Sequence, residues 1–239
     1  MHYHADDLCL TRKTIKVISR MLDKGELDSV SVIVTTGAFD DFARQLRKVK
    51  VPIFLHFSIT EGTPISEKTT IPSLLDDEGR FYAQQTLIKK CISRKINKQD
   101  VWRELEAQME KLLKAGVRVA GIDTHQHAHA FNPISAVVYE YATERNIEFV
   151  RSYSQARAIS ISAHIVKFGY WLLALGTSLR LSPRSWRERK WRSFVMATWE
   201  KISSVPDDTV VIVHPGTDFD CQESLLRQVI RHFRYIKNH

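Results

Sequence analysis

Gly121-Ile-Asp-Thr-His-Gln-His-Ala-His129 is the stretch on which the reading of this chain turns. The residues before it, Val117-Arg-Val-Ala-Gly-Ile122, have the composition of a short buried strand. Carried through the stretch, strand alternation predicts Asp123, His125, His127 and His129 on one face. One carboxylate and three imidazoles converging where a strand ends make a donor set for a divalent metal. A polar strand end, with one imidazole bonded to backbone and two solvated, is the bland alternative. The repeated Asp-x-His-x-His-x-His spacing favours a metal or catalytic site.

Outward from this stretch, strands and helices alternate. Met1-His-Tyr-His-Ala-Asp-Asp7 reads as the tail of a strand that ends in two carboxylates. A helix over 11–24 follows, with Ile15, Ile18, Met21 and Leu22 on one face and Gly25 as its stop. Strands are predicted at 29–35, 51–57, 147–151 and 209–214, and helices at 38–49, 97–115 and from Asn132-Pro133 onward. The 61–79 stretch contains Pro64 and Pro72 without a clear period and reads as a long loop, a length that in compact domains usually serves function. Two helices, 164–181 and 185–203, and a last one near 222–234 complete the pattern.

This alternation implies a parallel sheet with crossover helices. Asp6/Asp7, His56, Asp123/His125 and His214 each fall at the C-terminal end of a predicted strand, where barrel active sites are assembled. The expectation is therefore an α/β fold, a deformed TIM-like (β/α) barrel. A single domain is expected over 1–239, with 164–203 as a helical insertion or cap.

Composition sets further bounds. With 239 residues, 44% hydrophobic and 26% charged, the chain has ordinary globular composition and ample length for a core. Cys9, Cys91 and Cys221 are odd in number and form no CxxC pair, which points to a reducing, cytoplasmic setting. Asp6 and Asp7 stand where a signal peptide would carry its apolar stretch, and no apolar run reaches the ~18 residues of a membrane span. The net charge is +8, of which 164–192 supplies +6 through seven basic residues against Glu188. Basic character confined to one segment argues against a general nucleic-acid-binding surface. In that segment Phe168 to Leu175 is apolar on nearly every face and is followed by arginines interleaved with Trp186 and Trp191. A core helix is the simple reading; a cap over the site or a peripheral contact with the inner face of the membrane is the other.

Ala5-Asp6-Asp7, Leu55-His-Phe-Ser-Ile-Thr60, Asp123-Thr-His-Gln-His-Ala-His129 and His214-Pro-Gly216, in this order, resemble the motifs of the YdjC/ChbG family of carbohydrate deacetylases. The resemblance spans nearly the whole chain. It implies a deformed (β/α) barrel that removes N-acetyl groups from amino sugars with a divalent metal, Mg²⁺ in the family. Ligation rich in imidazole would suit Zn²⁺ on softness grounds. By the match, Asp7, His56 and His125 are the metal ligands, Asp6 the general base and His214 a candidate acid. The chain departs from the family at its ends. His2 and His4 precede the aspartates where apolar residues are usual, Leu8-Cys9 replaces Phe-Gly, and no final strand follows the last helix, so the barrel is expected to be incomplete there.

The chemistry asks for those roles. Amide hydrolysis needs an activated water, a stabilised oxyanion and a proton for the leaving amine; a metal brings the pKa of bound water to about 7 and polarises the carbonyl. One carboxylate of an adjacent pair can bind the metal while the other takes the proton. His127 and His129 are expected to bind sugar or to orient His125, and Arg151 to bind sugar hydroxyls or to pair with a carboxylate. The competing functions are a sugar-binding protein without turnover and another metal-dependent hydrolase such as a phosphoesterase; no glycine-rich phosphate loop supports the latter. The expected partner is an N-acetylated, soluble or lipid-linked sugar, and the oligomeric state, homo-oligomer included, is left open.

Overall fold

The computed structural model describes residues 2–151, 193–196 and 209–217. Seven strands form one sheet: β1 (His2–Leu8), β2 (Ser29–Val32), β3 (Ile53–Phe57), β4 (Val119–Thr124), β5 (Phe149–Val150), β6 (Ser193–Met196) and β7 (Thr209–Val213). Every pairing between them is parallel, in the order β5-β4-β3-β2-β1-β7-β6. Each strand lies beside its neighbour in sequence except β5 and β6, and the last strand returns to pair with the first. An open, doubly wound sheet would instead reverse its order at a switch point. The cyclic order is that of a barrel, and among the described residues β5 and β6 are its two unjoined edges. The fold is thus an incomplete, TIM-like α/β barrel.

The strands carry different chemistry on their two faces. Outward-facing Ala5, Val30, Val32, Leu55, Phe57 and Ile122 are buried in the main apolar core. Against this face pack α1 (Arg12–Asp23), α4 (Lys98–Lys114) and α5 (Ile134–Glu144). Helix α1 is capped by Thr11, whose side chain accepts from the Thr14 amide while Thr14 answers on the Thr11 amide, and it ends at Gly25 with φ +65°. It buries Thr14, Val17, Ile18 and Met21, so Ile15 and Leu22 flank the apolar stripe rather than centre it. Helix α4 starts at the Asn97 cap and buries Val101, Leu105, Met109 and Leu112, as its period predicts.

The inward face is polar and aromatic, in two layers. The lower layer sets His4 against Phe54 (ring centroids 4.9 Å apart) and Phe54 against Phe149 (6.0 Å). Gly121 belongs to this layer because a Cβ there would lie 2.4 Å from the Phe54 ring. The upper layer holds Asp6, Ser31, His56, Asp123 and Arg151.

Several elements differ from the expectations. The predicted 38–49 helix is one α-helical stretch, α2 (Gly37–Phe42), continued as 3₁₀ helix over Ala43–Lys48. The 61–79 loop contains two short 3₁₀ turns, Lys68–Thr70 and Pro72–Leu74. After it comes a helix with no predicted counterpart, α3 (Gln84–Ile92). Its only buried residues are Leu87 and Cys91, too few for a visible period. Pro133, not Asn132, holds the cap position of α5, and no side chain bonds there. Ser193–Met196 is a strand, which corrects the expected 185–203 helix at those positions; a short run such as Ser-Phe-Val-Met does not distinguish the two by period. The other residues of the expected helices over 164–181, 185–203 and 222–234, and of the basic segment 164–192, lie outside the described residues. Among the described residues no helix is long and apolar enough to cross a membrane.

Candidate active site

Adjacent residues on a regular strand face opposite sides, so Asp6 and Asp7 could not both serve one site from an ideal β1. The β1–β2 register shifts between Ala5 and Leu8, and Asp7 takes φ +64°. Such an irregularity re-aims a side chain, and aspartate tolerates the left-handed region better than most residues. Both carboxylates therefore reach the C-terminal mouth of the barrel.

The central stretch departs from the expected alternation. Strand β4 ends at Thr124, and His125–Ala130 form a 3₁₀ segment with Gln126 and His127 at φ 51° and 56°. The expectation of four side chains on one strand face is corrected: Asp123 points inward from the strand, and His125, His127 and His129 are set by a turn. Gln84 of α3 supports that turn, its side-chain amide donating to the Gln126 carbonyl at 3.0 Å.

The turn brings His125 Nδ1 to 2.9 Å from Asp7 Oδ1, and His56 Nε2 lies 3.3 Å from the same oxygen. Donor atoms of Asp7, His56 and His125 all fall within 4.8 Å of one another, in buried positions. On its other side the His56 ring donates from Nδ1 to Asp123 Oδ1 at 2.6 Å; these two residues are register partners across β3 and β4. Burial would lower the His56 pKa, but Asp123, Asp6 and the hydrogen bonds to Asp123 and Asp7 push it up to about 10. Burial would raise Asp7, but hydrogen bonds from His125 and His56 hold it below the carboxylate range. The donor set fits a divalent ion: one carboxylate and two imidazoles, one imidazole oriented from behind by a carboxylate.

Asp6 stands beside this group in a different bonding pattern. Arg151 donates to both its oxygens at 2.7 Å, and His214 Nε2 is 3.5 Å from Oδ2. Burial opposes ionisation of Asp6, yet Arg151, His56 and His214 hold it well below the usual range. Arg151 also reaches Asp123 Oδ2 at 2.6 Å, and Ser31 donates to that oxygen. Arg151 was expected to bind sugar or to pair with a carboxylate; here its side chain, 7% exposed, lies against the carboxylates of Asp6 and Asp123.

A cavity of about 690 Å³ opens over these residues, lined by Asp6, Asp7, His56, His125, His127 and His214, with Lys13, Glu61 and Gln84 among its other walls. His127 is brought into this wall, and burial together with the positive Arg151 pushes its pKa down to about 4, so it is neutral at ordinary pH. His129 is not. It is buried against Thr124, whose hydroxyl meets its Nδ1 at 2.5 Å and also accepts its backbone amide, contacts that brace the turn.

His4, Ser31 and the role of Asp123 went unread in the sequence. Period-two spacing puts His4 and Asp6 on one face of β1, and Ser29 and Ser31 on one face of β2, and that signal was available. His4 bonds Ser29 through Nδ1 (2.6 Å) and Ser31 through Nε2 (2.7 Å). Lys13, Glu61 and Gln84 come from a helix start, a loop and an unpredicted helix, where no local pattern marks them.

A parallel barrel with a buried Asp-His-His donor set at its strand ends defines a class, the α/β barrel proteins with a candidate metal centre at the C-terminal mouth. The chain belongs to the YdjC-like family, whose model, described as YdjC-like protein, matches residues 3–235. It is 28% identical over 154 residues to a carbohydrate deacetylase of Listeria monocytogenes serotype 4a, covering 64% of this chain and 60% of the relative. It is 33% identical over 148 residues to a carbohydrate deacetylase of Clostridium beijerinckii, covering 60% and 56%. The aligned part thus spans about 60% of the length of these curated relatives. An Enterococcus faecalis V583 crystal structure, of a proposed cellobiose-phosphate cleavage protein, shares the fold with a TM-score of 0.69 at 18% identity, over 97% of this chain and 93% of that one.

Proposed function

We propose that this protein is a metal-dependent carbohydrate deacetylase that hydrolyses the N-acetyl group of an amino sugar. The observation that carries this reading is the convergence of Asp7, His56 and His125 at the floor of a cavity that Asp6 and His214 flank. A divalent ion held by those three residues supplies Lewis-acid chemistry, acidifying water and polarising a carbonyl. Mg²⁺ is favoured by the family resemblance; Zn²⁺ is the alternative on ligand softness.

The chain's own groups perform the proton transfers. Asp6, kept ionised and aimed by Arg151, takes a proton from the attacking water as its oxygen bonds to the acetyl carbon. His214, whose Nε2 lies 3.5 Å from Asp6 Oδ2, delivers a proton to the amide nitrogen as the C–N bond breaks, and acetate and a free amine leave. Asp123 fixes the tautomer of His56, the usual service of a carboxylate behind a ligating imidazole. Neutral His127 offers a hydrogen-bonding group to the sugar.

Acetate release from a panel of N-acetylated mono- and oligosaccharides tests this function. Turnover that stops with chelator and returns with Mg²⁺, Mn²⁺ or Zn²⁺ is the expected result. Sugar binding without acetate release under every metal condition would make the protein a binding protein. The composition of 164–192 supports peripheral contact with anionic membrane. The protein should then co-sediment with vesicles containing phosphatidylserine at low salt, and less so after Arg187, Arg189 and Lys190 are changed to glutamine. Equal recovery with neutral vesicles would remove that contact.

A further inference from the structure

Among the described residues, two groups of potential metal donors share the inside of this barrel. One is Asp7, His56 and His125; the other is His4, Asp6 and Asp123, whose donor atoms also lie within 4.8 Å of one another and are equally buried. The His56 ring joins them, with Nε2 toward Asp7 and Nδ1 on Asp123. Pairs of adjoining carboxylate-imidazole groups are how two-metal hydrolases hold ions about 3.5–4 Å apart. The second group, however, already contains a cation. The Arg151 guanidinium donates to Asp6 Oδ1 and Oδ2 at 2.7 Å and lies 2.6 Å from Asp123 Oδ2, with the three side chains 7%, 2% and 1% exposed.

We infer that Arg151 is a fixed internal cation standing where a second metal ion would otherwise bind, and that it keeps the centre mononuclear. Two carboxylates buried side by side need positive charge nearby, and a buried carboxylate left uncompensated is strongly unfavourable. A divalent ion or a guanidinium meets that need, but both would use the same oxygens. Arginine is suited to the task because its planar fork matches a carboxylate bidentately and stays charged at any working pH. Its place is set by the backbone: the Arg151 amide donates to the Ile122 carbonyl at 3.1 Å, extending the β4–β5 ladder by one residue. The consequence is a division of labour between adjacent aspartates. Asp7 is left to ligate, and Asp6, held by an organic cation, keeps lone-pair capacity for a proton from water. Arg151 is on this account a positioning residue.

The inference rests on the metal centre proposed above, and metal counting separates the failure of one from that of the other. Wild-type, Arg151→Ala, Arg151→Gln and Arg151→Lys proteins are stripped of metal, checked for folding by circular dichroism, and saturated with Mn²⁺. Bound equivalents are counted by equilibrium dialysis, and spin coupling is read by electron paramagnetic resonance. The wild type and Arg151→Lys should bind one uncoupled Mn²⁺. Arg151→Ala should bind two, exchange-coupled; Arg151→Gln, which keeps bulk and hydrogen bonds without the charge, should do the same and serves if the alanine variant does not fold. One equivalent in every folded variant overturns the inference and leaves the metal centre standing. Two equivalents in the wild type also overturn it, whatever the variants do. No uptake by the wild type removes the metal centre and the inference with it.

Discussion

Asp6 and Asp7 are neighbours in sequence with opposite surroundings, and their proposed roles follow from that. Asp7 faces two imidazoles, whereas Asp6 faces a guanidinium and His214. The adjacent pair was legible in the sequence as a strand end carrying two carboxylates. The bulge that turns both into one cavity was not, because backbone irregularity leaves no periodic trace. Arg151 illustrates the same limit: the sequence puts it at a strand end but cannot say that its partners are 145 and 28 positions away. Asp6→Asn preserves shape and removes the carboxylate proposed as the base. It should retain metal and lose deacetylation by roughly 10²–10⁴-fold, the range typical of a lost general base. Initial rates with metal content measured on the same samples check this; a near-normal rate would move the base role to His214.

Elements are held in place by polar contacts as well as apolar ones, and helix α4 shows both. Its apolar stripe of Val101, Leu105, Met109 and Leu112 was plain from helical spacing. The adjoining stripe of Asp100, Glu104 and Gln108 is buried as well, and polar residues at that spacing carry no burial signal in the sequence. Glu104 instead accepts the amides of Ile65 and Ser66 at 3.0 and 2.9 Å, Gln108 bonds both the amide and the carbonyl of Ser58, and Asp100 accepts the Ser73 amide. These contacts pin the 58–73 loop and with it the Glu61 wall of the cavity. Gly62 is required in that loop, since at φ +83° a Cβ would lie 2.3 Å from the Thr35 carbonyl oxygen. Glu104→Ala should therefore destabilise the protein by roughly 1–3 kcal/mol in all, since the two amides it leaves without a partner are half-buried. Urea unfolding measures it, and a change below about 0.5 kcal/mol would mean the loop finds other partners. The histidine stretch teaches the complementary lesson. Its content of candidate metal donors was readable from composition, but its geometry was not, because a left-handed turn at Gln126 and His127 replaces the strand after Thr124.

At the scale of the molecule, barrel architecture was readable because chemically capable residues recurred at successive strand ends. The position of Ser193–Met196 was not, since tertiary pairing with β7 decides it. Burial also sets a pH response remote from the site. It pushes the Cys91 thiol up to about 12, and the Cys9 thiol is raised as well. In the unfolded chain a thiol ionises near about 8.5. The native state then holds protons that the unfolded state has released, so this contribution is complete below pH ~8.5 and is lost as pH rises toward 12. Urea midpoints should fall between pH 8 and 10.5, and the Cys91→Ala variant should show a shallower fall; parallel profiles would assign the decline to other groups.

The central claim is one divalent ion held by Asp7, His56 and His125. Anomalous diffraction at the manganese edge, from crystals of metal-stripped protein soaked in Mn²⁺, tests it most directly. A single strong peak bounded by the Asp7 carboxylate and the imidazoles of His56 and His125 is expected. A peak elsewhere in the barrel, or none in protein that diffracts well after soaking, would contradict it.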